Sequence, residues 1–330
     1  MGELKLSQGF SMIALNAQDS INMTTVKKVS LRCIAAAVVL ETYLDGDFES
    51  IDDGKLSLKK SYLDSPNVTL YQEAIFKALF YKKGDIEENL NWWLTNASNL
   101  SKKHLKALEI TIVDSLKGYD YIEEIPNLLG CDMLYKTAGL SLKEYRSNIS
   151  EYSRIVESLK ADVLEEGELG YENIFMLWLL KESGCIQDVF SKSDLEIIEK
   201  KISNLFINNR FSKKLYDIHI YHGLEMAVKG FLRMKKNAIK TPTGTGFNFI
   251  FPAIERSQSI FIDTEEMFSN SKERLNDVKR RLEENGHLYT IVRGGDVPLI
   301  KIDNIIYEAI PEAVRGRIPI HGVRLRRYPF

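Results

Sequence analysis

The stretch at 24–44, TTVKKVSLRCIAAAVVLETYL, limits the fold more than any other part of the chain. It is Ala-rich, lacks Pro and Gly, and is apolar on most faces from Cys33 to Leu40. Such a segment favours helix and must bury nearly its whole circumference. The elements around it must enclose it, so the expectation is a mainly α fold, a helical bundle with this helix as its interior pillar. A chain of 330 residues has enough core for that and for a second, smaller domain.

Outward from the pillar, Asp45-Gly46-Asp47 is a stop signal. A strand-like run at 48–51, then Asp53-Gly54, then the alternating Lys55-Leu56-Ser57-Leu58 predict a tight hairpin. Helix, turn and hairpin together look like half of a winged helix. Apolar residues at helical spacing predict helices at 70–82, 86–94, 102–116, 141–164, 171–183, 191–204 and 213–235. Ser141 with Glu144, and Ser191 with Asp194, have the spacing of capping boxes. A second small hairpin is expected from 119–124 paired with 131–136, its tip carrying Leu128 and Leu129.

Composition changes late in the chain. From Phe231 onward there are seventeen Lys and Arg against twelve Asp and Glu, whereas the first 230 residues carry 27 basic and 34 acidic side chains. The Pro/Gly/Thr run at 241–246 falls near that step. The predicted division is a helical domain at 1–236, a linker at 237–246 and a small α+β domain at 247–330. The last would hold strands at 247–252, 259–263, 287–293, 299–307 and 317–325, with a charged helix at 265–284.

The three cysteines, Cys33, Cys131 and Cys185, are far apart and lie in apolar surroundings, so they are expected as free buried thiols in a reducing compartment. No basic stretch followed by an apolar core opens the sequence, and the apolar runs at 33–40 and 174–180 are too short to span a bilayer. The expected location is cytoplasmic, with room for peripheral association at the inner face of a membrane.

Catalytic signatures are absent from the sequence: it contains no GxSxG, HExxH or GxGxxG. The Gly loop at 243–246 lacks the lysine of a phosphate-binding loop, and Arg293-Gly-Gly-Asp296 reads as a hairpin turn. His219 and His222 supply half a metal site at best, so no metal and no cofactor are expected. Trp92, Trp93 and Trp178 sit within apolar stripes and are expected in the core.

The order of parts over about 4–230 resembles the Golgi phosphoprotein 3 family, as a bacterial member. The residues that carry the likeness are Leu4-Lys-Leu-Ser-Gln-Gly-Phe-Ser-Met-Ile-Ala-Leu15, the Ala/Leu helix running into a Gly turn and hairpin, a helix ending at Gly118, an apolar hairpin tip, and Tyr171-Glu-Asn-Ile-Phe-Met-Leu-Trp-Leu-Leu180 before Ser183-Gly-Cys185. The resemblance implies a pocket for an anionic phosphoinositide head group, and a hairpin tip used for membrane contact or self-association. At the family's Arg and Trp positions this chain has Ala35, His104, Ala107 and Val26, with Arg32, Lys103 and Lys106 beside them. The part after about 240 matches nothing in that pattern.

The expected function is accordingly a non-enzymatic binding or adaptor role, with an anionic membrane surface or another protein as partner. Lys27, Lys28, Arg32, Lys103 and Lys106 are the candidate cationic pocket, and Leu128 and Leu129 the candidate membrane or self-association tip. Arg315, Arg317, Arg324, Arg326 and Arg327 form the densest basic cluster. That cluster and the winged-helix-like unit support a less favoured alternative, nucleic-acid binding. A further alternative is an enzyme whose site is assembled between the domains.

Overall fold

The computed structural model describes residues 4–51, 54–81, 84–133, 142–167, 169–208, 210–220, 259–264, 271–314 and 319–328. In chain order they form α1 (Leu6–Leu15), α2 (Thr25–Leu44), β1 (Glu49–Ile51), β2 (Lys55–Leu58), α3 (Leu70–Phe80), β3 (Ile86–Asn89), α4 (Leu90–Ser98), α5 (Lys102–Lys117), β4 (Ile122–Pro126) and β5 (Lys143–Ser147). There follow α6 (Ile149–Leu164), α7 (Tyr171–Ser183), α8 (Ile186–Val189), α9 (Lys192–Asn208), α10 (Arg210–Tyr216), β6 (Ser259–Asp263), α11 (Ser271–Glu284), β7 (Tyr289–Arg293), β8 (Leu299–Ile302), β9 (Ile305–Val314) and β10 (Ile320–Arg327). The architecture is mixed α+β, with many helices and small antiparallel sheets. Among the described residues no helix is long and apolar enough to cross a membrane.

Two compact units emerge, and neither is continuous in sequence. The first comprises Met1–Leu15, Lys27–Ile122 and Ser150–Val228; the second comprises Asn16–Val26, Glu123–Ile149 and Lys229–Phe330. This differs from the predicted division at 237–246, a stretch that lies outside the described residues. A composition step marks where local texture changes. It cannot register that 123–149 packs with a partner more than a hundred residues away.

The helical unit is built on α2, whose residues from Val29 to Thr42 are all buried. Each large apolar side chain so enclosed contributes roughly 1.5–3 kcal/mol relative to exposure. Helix α1 lies beside α5 and α7, and α3 beside α5. Strand β1 pairs antiparallel with β2, and Gly54 takes the left-handed conformation (φ +71°) that the turn needs. A third strand, β3, joins β2, with Leu58 opposite Ile86. The predicted helix at 86–94 is therefore a strand followed by a helix. Asn89 makes the switch, its side chain accepting the Trp92 N–H at 2.9 Å as the N-cap of α4. Trp93 and Trp178 are core residues as expected, their indole N–H groups donating to Leu56 O and Ile218 O, each at 3.2 Å. All three cysteines are free and buried.

The second unit centres on an antiparallel sheet of order β6-β10-β9-β8-β7. Alternation along its strands puts Ile260, Ile262, Ile300, Ile302, Tyr307, Val323 and Leu325 on one face, where Val278 and Leu282 of α11 cover them. The opposite face carries Glu308, Glu312, Arg324 and Arg326. Gly322 fits where no other residue would: an added Cβ would meet Ile262 O and stand 2.6 Å from the Phe261 ring. The predicted strand at 299–307 is two strands joined by a two-residue turn at Asp303-Asn304, with Asp303 at φ +43°.

The region read as a second hairpin also differs. Strand β4 pairs with β5, not with 131–136. Leu128–Cys131 forms a turn of 3-10 helix started by Asn127, whose side chain accepts the Leu129 N–H at 2.9 Å. Of the expected capping pair, Glu144 lies in strand β5, and Ser141 is outside the described residues. Beside β5 runs the segment at 17–20, bonded to it through Ala17 N to Tyr145 O (2.8 Å) and Ser20 N to Lys143 O (2.9 Å).

Candidate functional site

Of the five cations expected to form an anion pocket, Lys27, Lys106 and Arg32 have partners within the helical unit. Lys27 is 0% exposed and pairs with Glu109, also 0% exposed, at 2.8 Å; Lys106 reaches the second oxygen of the same carboxylate at 3.0 Å. Arg32 is buried and donates to Ser98 O. Lys103 is exposed and Lys28 half-buried. The pattern that suggested a pocket is thus mainly the neutralisation of one buried acid: a charge enclosed by α2 and α5 must be paired there.

The apolar tip is not exposed. Leu128 is 5% exposed and belongs to the core of the second unit, with Leu129 packed against it. Of the C-terminal arginines, Arg324 pairs with Glu312 through both Nε and Nη2, and Arg326 with Glu308 at 2.5 Å, across the outer face of the sheet. Arg327 stands close enough to Glu144 for its charge to act on that carboxyl. Arg315 and Arg317 lie outside the described residues, as does His222. His219 faces Glu182 at 3.3 Å.

What the fold does assemble is a buried group around Glu144, His287 and Asp303, in the second unit. Their ligand-type atoms all lie within 4.8 Å of one another. Strand β5 supplies Glu144, the position after the Asn285-Gly286 turn that follows α11 supplies His287, and the β8–β9 turn supplies Asp303. His287 Nδ1 stands 2.8 Å from Asp303 Oδ2. Asp303 Oδ1 accepts from Arg146 Nη1 at 3.0 Å and from the Leu288 N–H at 3.1 Å. Arg146 also donates to Glu123 and to Gly286 O, which fixes its guanidinium. Next to the turn, Asn304 Nδ2 donates to Asn16 Oδ1 at 3.1 Å and to Ser147 O at 2.7 Å.

Burial pushes the Glu144 carboxyl up to about 8, and the nearby Asp303 charge adds to the effect, while the Leu128 N–H and Arg327 oppose it. His287 is 2% exposed, and its Nε2 has no hydrogen-bond partner among the described residues. A cavity of about 10 Å³ adjoins Glu144, Arg146 and Asp303, with Asn16 and Leu128 also lining it. That is room for a single water or ion, not for an organic substrate.

None of these three residues stood out in the sequence. The Asp-Asn step between two apolar runs, Leu299-Ile-Lys-Ile302 and Ile305-Ile-Tyr307, was a usable hairpin signal, since both residues tolerate the left-handed region. Glu144 was hidden by the stronger resemblance of its surroundings to a helix start.

The sheet also has unequal edges. At β6 the outer side is met by the 3-10 turn, and Asp132 Oδ2 accepts the Phe261 N–H at 3.0 Å. At β7 no strand is paired beyond it among the described residues. Leu288 and Val292 are each 53% exposed and Ile291 39%.

The fold and these features define a two-unit α+β protein with a buried carboxylate–imidazole group and a C-terminal sheet whose β7 edge is unpaired among the described residues. No protein-family profile matches the sequence, and no curated protein matches it. The likeness to the Golgi phosphoprotein 3 family rests on the sequence pattern alone.

Proposed function

We propose that the protein acts by binding: β7 takes an extended segment of a partner polypeptide as a sixth strand of the C-terminal sheet. The observation that carries this reading is the contrast between the two edges. An unpaired strand edge invites association, and folds blunt it with charge, bulges or covering segments. Here β6 is covered, whereas among the described residues Ile291 and Val292 of β7, and Leu288 just before it, are open to solvent, and the edge carries Arg293 and a register shift between Ile291 and Arg293. Main-chain hydrogen bonds along such an edge supply affinity, and alternating side chains supply selectivity. The expected partner of anionic head-group type has less support than a strand partner, because Lys27, Lys106 and Arg32 are engaged internally.

The test is selection of extended peptides from a displayed library on the full chain, then calorimetry of the selected peptide. Binding should weaken at least about tenfold in the double variant Ile291→Lys/Val292→Lys. Amides 289–293 should become protected from hydrogen exchange in the complex. Failure to select any peptide, or binders indifferent to both substitutions, would sink the proposal. Self-association lost in the same variant would make the occupant a second copy of the chain.

A further inference from the structure

We propose that Glu144, His287 and Asp303 form a site for one first-row divalent transition-metal ion, with Zn²⁺ as the representative. One imidazole nitrogen and two carboxylates make a mixed N/O donor set of the kind such ions favour over Mg²⁺ or Ca²⁺. The three donor atoms lie within 4.8 Å of one another. Bonds of about 2 Å to a common ion place ligand atoms roughly 3–4 Å apart, so a contraction of about 1 Å closes the site.

The residues behave as ligands in other respects. Asp303 Oδ1 is engaged by Arg146 and the Leu288 N–H, which orients the carboxylate so that Oδ2 faces the His287 ring. Its 2.8 Å approach to His287 Nδ1 suits either two adjacent ligands on one ion or a hydrogen bond that fixes the ring. The ring's other nitrogen is buried without a partner among the described residues. A neutral imidazole carries a lone pair on one of its two nitrogens, so a donor pair is on hand inside the core.

Charge argues the same way. Asp303, Arg327 and Asp19 all act on the Glu144 carboxyl, and Arg146 sits on Asp303. Two acids, Glu144 and Asp303, thus crowd one imidazole, and a divalent ion would offset the repulsion between them. The adjoining space of about 10 Å³, lined by Glu144 and Asp303 with His287 outside its lining, accommodates one water as a further ligand to the ion. The consequence is structural: Glu144 comes from the middle of the chain, and His287 and Asp303 from its C-terminal part. The ion would clip two segments of one unit together, and its binding free energy would add to the stability of that unit.

The experiment uses the full chain stripped with a chelator, titrated with Zn²⁺ by calorimetry and followed by thermal unfolding. The expected result is one equivalent bound, with a rise in melting temperature. Glu144→Gln and His287→Gln should each weaken binding at least about tenfold. His219→Ala, which removes a histidine beside Glu182 in the helical unit, should leave binding unchanged. Because buried substitutions can prevent folding, the wild-type imidazole nitrogen spectrum with and without Zn²⁺ gives an independent reading: His287 must shift. The proposal is overturned by no saturable binding, by binding that survives both glutamine variants, by loss in His219→Ala, or by an unmoved His287 ring.

Discussion

Glu109 in the helical unit and Glu144 in the sheet unit are both buried acids, and they are treated in opposite ways. Glu109 has a lysine on each oxygen, Lys27 at 2.8 Å and Lys106 at 3.0 Å. Glu41, also in the helical unit, is held by Ser7, Tyr71 and Gln72, with Lys5 farther off at 4.0 Å. Glu144 instead faces another acid, Asp303; burial raises its hold on a proton, and the Asp303 charge adds to that. Where a buried carboxylate is fully matched, its role is to set helix register. Where acids crowd an imidazole with an unpartnered nitrogen, the arrangement is better explained by something that binds there.

The largest effect that tests this contrast is expected at Lys27. Lys27→Met takes the fully buried lysine away from Glu109 and keeps the half-exposed Lys106, and should cost about 3–5 kcal/mol in urea unfolding. Adding Glu109→Leu should recover most of that loss, because an apolar pair of similar size avoids desolvating any charge. A single-variant cost below about 1 kcal/mol would mean that the pair is not the matched device described here.

In the sheet unit the corresponding structural limit is steric. Gly322→Ala should cost about 1–3 kcal/mol, since its methyl would run into Ile262 O and the Phe261 ring. Thermal unfolding checks it, and an unchanged melting temperature would show that β6 and β10 yield more easily than their close approach suggests.

A pH series sharpens the comparison within the helical unit. Burial raises the Glu41 carboxyl above its ordinary 4.5, against the lowering effect of the bonds from Ser7 and Tyr71. The folded state therefore keeps its proton to higher pH than the unfolded chain does. Stability from this group is fully present below about 4.5 and is lost as pH rises through the folded value. Glu41→Gln should remove that slope, whatever constant penalty its amide adds. Urea midpoints from acid to neutral pH should show the wild type declining relative to the variant. Parallel curves, or the opposite trend, would contradict the assignment.

Much of the helical unit was legible because its signals are local. The burial of 29–42 follows from a run too apolar to face water, and the Asp-Gly hairpin from turn chemistry. Ser191 and Asp194 do form their reciprocal cap, with Ser191 N to Asp194 Oδ2 at 2.9 Å. Glu144 was misread by the same rule, because a Ser three residues before an acid says nothing of a strand arriving from elsewhere. The buried Glu144–His287–Asp303 group was not legible for that reason: its members come from positions 144, 287 and 303 and meet only in the folded unit. The cationic residues were visible as charges, yet their partners Glu109, Ser98 and Glu312 lie up to 82 positions away.

The smallest expected effect lies on the outer face of the C-terminal sheet. Arg324 and Arg326 are partly exposed, and each is paired with a glutamate of β9. Such pairs contribute about 0–1 kcal/mol, so Arg324→Ala and Arg326→Ala should each shift the urea midpoint little. The change at Arg324 should be the larger of the two, because its guanidinium also lies 5.5 Å from the centre of the Phe261 ring. Since Glu308 and Glu312 already neutralise these charges, the double variant should elute from heparin at nearly the wild-type salt concentration. A marked loss of retention would show that the arginines face an anionic partner in spite of their glutamates, and would return nucleic acid to the front of the functional question.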